Sequence, residues 1–223
     1  MELEYIHPWI NYFTDQGVPF LTVVLLLLFP FIATLVALLR QVVGLKAFGI
    51  YTPAIITFAF LATGLKYGIA VFAIVVFVGI FMRYIIKKMR LLYLPRVAIT
   101  LTIVSFAILA SLVIGGSLQR TGFAAVITFP LLIIISLVEK FVAVQIEKGS
   151  KTALWLALET LIVALLGYAL MSEETVVGQA VIKFIVHYPW AVLLVIPFNI
   201  FLGKWTGLRL SEYLRFRDVL KKM

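Results

Sequence analysis

The chain contains no cysteine. That excludes disulfides, thiolate nucleophiles and cysteine-based metal sites. Charge is scarce as well. Only 13% of residues are Asp, Glu, Lys or Arg, whereas soluble domains carry about 25%. Ten acidic residues and two histidines leave little material for acid–base or metal-assisted chemistry. No HExxH, GxSxG, Walker A or paired zinc-ligand pattern occurs. An intramembrane enzyme is therefore the least supported functional class, with no catalytic, cofactor or metal residue to name.

What the chain has is hydrocarbon. Of 223 residues, 64% are hydrophobic. A span needs roughly 20 apolar residues, so there is room for six or seven spans and no separate soluble domain. Apolar runs fall at about 19–39, 51–65, 68–86, 97–115, 122–138, 152–171 and 188–203. The expected fold is all-α, a polytopic membrane protein with seven transmembrane helices. Residues 1–18 form an outer N-terminal segment, 19–204 the seven-helix domain, and 205–223 a cytoplasmic amphipathic tail. Acidic Glu2, Glu4 and Asp15, not a basic stretch, precede the first run. It reads as a retained span and not as a signal peptide.

The basic residues orient the spans. With the N-terminus outside, 16 of the 19 Lys and Arg fall on inner segments, and only Lys66, Arg120 and Lys183 lie outside. That asymmetry is what the positive-inside rule requires of a multi-pass protein in a cytoplasmic membrane. The net charge of +9 is thus a matter of topology and membrane surface, and no nucleic-acid motif accompanies it. Lys87, Lys88, Arg90 and Arg96 in "RYIIKKMRLLYLPR", and Arg209, Arg215 and Arg217 in the tail, are candidate contacts for anionic lipids or partners. The tail sets apolar Leu210 and Leu214 four residues apart among basic residues, as a short interfacial helix does.

The stretch "GLKAFGIYTPAIITFAFLATG", residues 44–64, breaks the apolar pattern with glycines, a proline and three threonines. Its core "AIITFAFL" at 54–61 has an echo in "AVITFPLL" at 125–132, with five of eight positions identical. The two lie three spans apart, so they enter the bilayer in opposite directions. This suggests a three-plus-three inverted repeat with one span added, the plan of many secondary transporters. Gly49, Pro53, Gly116, Gly122 and Pro130 are the expected structural breaks. Irregular backbone at membrane depth survives only where protein or water satisfies it, so these segments are expected to be interior.

Four polar residues lie at depth. Thr57 and Thr128 are equivalent in the echo; either they bond a helix carbonyl or they line a polar path. Glu159 is well inside the sixth apolar run, where an ionisable group is costly. It is expected either to pair structurally or to handle a proton or ligand. Asn199 is expected to join helices. Of the histidines, His187 fits an outer aromatic belt beside Tyr188 and Trp190.

Several ordered stretches carry a family resemblance: "VGLKAFGIYTPAIITFAF", "LLYLPRVAITLTIV", "ITFPLLIIISLVEKFVAVQIEKGSKTAL" and "GKWTGLRLSEYLRFRDVL". Together they resemble the seven-helix membrane domain usually fused to an inactive transglutaminase-like domain in bacterial and archaeal proteins. The resemblance implies a prokaryotic membrane protein. It also implies a partner that is transglutaminase-like or a peptide ligase of the ATP-grasp type. The chain has about 18 residues ahead of its first span, so such a module is expected to be a separate polypeptide or absent. Membrane lipids and a second copy of the chain are the other expected partners. Two functions stay in contention: a membrane scaffold for such a system, and a transporter of a small or peptide-like solute, proton-linked if Glu159 ionises.

Overall fold

The computed structural model describes residues 6–86, 89, 91–117 and 128–204, with side chains described outside 112–135. Among the described residues every regular element is helical. The chain divides into two compact units: Met1–Lys46 with Leu165–Met223, and Ala47–Ala164.

In the first unit, α1 covers Pro8–Asp15 and α2 covers Phe20–Leu38. One π-helical turn, Leu39–Val43, prolongs α2. Gly44 ends it at φ +89°, the left-handed conformation in which glycine avoids a side-chain clash. The continuous stretch Phe20–Val43 has 24 residues. At about 1.5 Å per residue it is roughly 36 Å long, enough to cross a hydrocarbon core of about 30 Å.

The C-terminal half of this unit departs from expectation. Residues 176–187, read from the sequence as an outer loop, form α8 (Val176–His187). Its buried residues Gly178, Ile182, Ile185 and Val186 lie on one helical stripe. The Thr175 hydroxyl caps it by accepting the Gly178 N–H at 3.0 Å. A 3-10 segment, Pro189–Leu194, and α9, Val195–Gly203, follow. The chain turns through 104° between α8 and this pair. The expected seventh span is thus the second arm of a bent pair. Pro189 supplies the cause: the residue before a proline is pushed out of helical geometry, and Tyr188 stands at φ −127°, ψ 72°.

The second unit contains α3 (Tyr51–Thr63), α4 (Leu65–Ile86), α5 (Tyr93–Ser117), α6 (Thr128–Lys148) and most of α7 (Ser150–Met171). Single glycines join α3 to α4 and α6 to α7: Gly64 at φ +80° and Gly149 at φ +93°. Helix α3 has 13 residues, about 20 Å of helix, too short to cross a bilayer alone. Eight of those residues are buried, so it is surrounded by protein, as expected for an interrupted segment. It packs chiefly on α6, and α4 packs on both α5 and α6. In lipid, close packing and polar contacts replace hydrophobic expulsion as the force between helices. Gly79 of α4 illustrates this: a Cβ there would sit 2.9 Å from Cδ1 of Phe141.

Helix α6 is longer than its apolar run. It continues through Glu139, Lys140 and Glu147, a stretch expected to be an inner loop. Leu137, Val138, Phe141, Val142 and Gln145 are all buried, so the 3.6-residue stripe runs straight past these charges. Glu139 and Lys140 lie off that stripe, half-exposed and 3.7 Å apart.

The described residues therefore hold four helices long and apolar enough to cross a membrane, or five if the bent pair counts as one.

Candidate functional site

The break in residues 44–50 has a defined geometry. After Gly44, Ala47 takes φ +38° and Gly49 takes φ +79°. For alanine that is a strained conformation, which persists only where surrounding contacts hold it. The contacts come from α7. The Ala47 N–H donates to Glu159 Oε2 at 3.1 Å, and the Phe48 N–H donates to Thr160 Oγ1 at 2.9 Å. Ala47 and Phe48 are both buried, and the Phe48 ring meets Phe141 edge-on at 6.2 Å between centroids. Two consecutive backbone donors with no helical partner are thus satisfied by two consecutive side chains of a helix 112 residues later. A buried N–H left without such a partner would be costly.

Below this latch, α3 carries further polar contacts. Thr57 is fully buried. Its hydroxyl donates to the Pro53 carbonyl at 2.9 Å and lies 3.4 Å from the Ala164 carbonyl. This is the helix-bonding arrangement of the two foreseen for it. The Ser136 hydroxyl of α6 lies 3.4 Å from Thr52 Oγ1. Pro53 does not break the helix. It is the third residue of α3, where its missing N–H removes no helical bond. The interruption lies upstream, at Gly44 to Gly49. Pro130 lies within α6, which is described from Thr128 onward. Helix α5 runs through Gly116 to Ser117 without stopping. A helical glycine costs only about 1 kcal/mol relative to alanine.

In the first unit, Asn199 joins α9 to α2. Its Nδ2 donates to Thr34 Oγ1 at 2.7 Å and to the Val195 carbonyl at 2.9 Å. Thr34 in turn donates to the Pro30 carbonyl at 2.8 Å. The histidines have local roles. His7 Nδ1 accepts the Trp9 N–H at 3.2 Å and so caps α1. Its ring meets Trp190 edge-on, and Trp9 packs against the same indole. His7, Trp9 and Trp190 thus form one aromatic cluster, and His187 packs on Tyr188.

Among the expected lipid contacts, Arg96 lies in the first turn of α5, half-buried, with Nη2 donating to the Leu91 carbonyl at 3.1 Å. Lys87, Lys88, Arg90, Gly122, Arg209, Arg215 and Arg217 lie outside the described residues. Thr160, Thr52, Ser136 and Gln145 were not singled out from the sequence. Gln145 had a usable signal, since it is the polar member of an otherwise apolar helical stripe.

A family described as seven transmembrane helices usually fused to an inactive transglutaminase matches residues 19–220. The chain belongs to this family. The seven-helix transglutaminase-associated family makes it a multi-pass membrane protein, in keeping with its apolar helices. No curated protein and no solved structure matches the chain.

Proposed function

We propose that this chain is a membrane scaffold that holds a transglutaminase-like or ligase partner at the envelope. The observation that carries the proposal is the Glu159 contact with the Ala47 N–H. The one acidic group foreseen as a proton carrier is engaged in holding the backbone of a broken segment. Thr160 and Thr57 are engaged in the same way. Polar groups used so are framework. The habitual fusion of family members to an inactive transglutaminase supports a partner-holding role. Seven spans with the N-terminus outside complete the proposed topology, on the strength of the family description and the basic-residue asymmetry. The inverted repeat remains part of the proposal, supported by the 54–61 and 125–132 echo alone.

A direct test joins the purified full chain with a transglutaminase-like module severed from a fused family member. Size-exclusion chromatography should show a complex. The same protein in vesicles with a pH-sensitive dye should pass no protons beyond empty vesicles. Proton-coupled flux that Glu159→Gln abolishes would replace the scaffold with the proton-linked transporter. Reporters active only in the cytoplasm, fused to each end, test the topology; signal from the N-terminal fusion would reject it.

A further inference from the structure

Helices α4, α5 and α6 enclose a cavity of about 130 Å³ near the ends that carry the basic residues. A single water needs only about 10–15 Å³ on this scale, so the space suits something larger. Its lining includes Arg83 of α4, Arg96 and Thr100 of α5, and Gln145 of α6, with apolar Ile86 and Val142 beside them. Three buried donors among the described residues lack any hydrogen-bond partner: Arg83 Nη1, Arg96 Nε and Gln145 Nε2. All three belong to residues that line this one cavity. Gln145 is 2% exposed. Among the described residues no carboxylate lines the cavity; Glu139, on the same helix as Gln145, is half-exposed beside Lys140.

Native proteins rarely leave buried donors unpaired, and each such group calls for an explanation. Here three occur together, on three different helices. Two belong to guanidinium groups of like charge with no counter-charge at the cavity wall. We propose that this cavity binds the phosphate group of an anionic membrane lipid. Three donors reaching in from three helices suit an oxyanion with three or more oxygens better than a planar carboxylate with two. Guanidinium groups are well matched to phosphate oxygens. The location favours a lipid source. Arg83 lies in the last turn of α4 and Arg96 in the first turn of α5, where a headgroup meets water, and the apolar lining lies beside the charged groups. The proposal does not depend on the scaffold function. It gives Arg96, foreseen as a lipid contact, a defined site, and adds Arg83 and Gln145.

Native mass spectrometry of the intact protein in detergent tests it, with phosphatidylglycerol and phosphatidylcholine titrated separately. A parallel thermal-shift arm titrates inorganic phosphate. One phosphatidylglycerol should bind at least about tenfold more tightly than phosphatidylcholine, and Gln145→Leu and Arg96→Gln should each weaken it about tenfold, the loss of one charge-assisted hydrogen bond. Gln145→Leu changes no protein charge, so it separates the site from general attraction to basic protein. If Arg96→Gln does not fold, Arg83→Lys keeps the charge, loses the planar fork, and should weaken binding similarly. Equal binding of the two lipids with no stabilisation by inorganic phosphate, or undiminished phosphatidylglycerol binding in Gln145→Leu, overturns the site. Stabilisation by inorganic phosphate, lost in Gln145→Leu and without preference between the lipids, overturns the lipid source and leaves a soluble phosphate as the ligand.

Discussion

Thr160→Val asks what the latch is worth. Thr160 is fully buried, and its hydroxyl both accepts from the Phe48 N–H at 2.9 Å and donates to the Leu156 carbonyl at 2.7 Å. Valine keeps the volume and removes the acceptor. The Leu156 carbonyl keeps its place in the helix, but the Phe48 N–H is left in a site that is 5% exposed. An unsatisfied buried donor costs about 1–3 kcal/mol. Thr160→Ser makes the opposite trade, keeping the hydroxyl and losing one methyl, worth about 0.8 kcal/mol. Valine should therefore be the more damaging of the two. For a chain of this size about 2 kcal/mol corresponds to a fall in Tm of roughly 4–8 °C. Heating the detergent-solubilised protein and measuring the surviving monodisperse fraction by size-exclusion chromatography gives the order directly. Glu159→Gln offers a neutral acceptor to the Ala47 N–H and should cost about 1 kcal/mol. A Thr160→Val protein as stable as the parent, with Thr160→Ser the weaker, would mean that packing and not the hydrogen bond holds the segment, and the latch argument would fail.

Three further outcomes follow from the same geometry. Gly49→Ala should destabilise by about 1–2 kcal/mol through backbone strain at φ +79°, because open space surrounds the position; thermal unfolding alongside a Gly203→Ala control measures it. Asn199→Ala and Thr34→Ala should be non-additive, with a coupling near 0.6 kcal/mol and at most about 1.7 kcal/mol, the range of hydrogen bonds between membrane helices; a double-mutant cycle reads it. Gly79→Ala should destabilise because its Cβ meets the Phe141 ring at 2.9 Å, and Phe141→Leu in the same chain should recover part of the loss in the same assay.

Much of this architecture could be read from apolar runs, because helices in lipid must satisfy their own backbone. The break at 44–50 was visible in its glycines, and Asn199 as a helix-joining residue in its position within an apolar run. The extension of α6 was hidden because Glu139 and Lys140 interrupt the hydropathy average while lying off the buried stripe. Helix α8 was hidden because an amphipathic helix has no long apolar run. Pro53 misled in a specific way: it marks where α3 begins, a place the missing N–H permits, and local sequence does not separate that from a kink. Thr160 could not be found from its surroundings in sequence, since what makes it matter is an N–H contributed from 112 residues away.

That separation has a consequence in time. Residues 47 and 48 leave the ribosome well before the side chains that accept their N–H groups. At roughly 5–20 residues per second the interval is about 6–22 s. Through those seconds the segment before α3 lacks the two acceptors that α7 gives its backbone donors, and α3 is too short to cross alone. Unsatisfied donors are costly in hydrocarbon, so the segment is expected to stay where water reaches its backbone until α7 arrives. The order of synthesis and the order of burial are therefore expected to differ in this chain, the second apolar segment made being among the last to reach its final place.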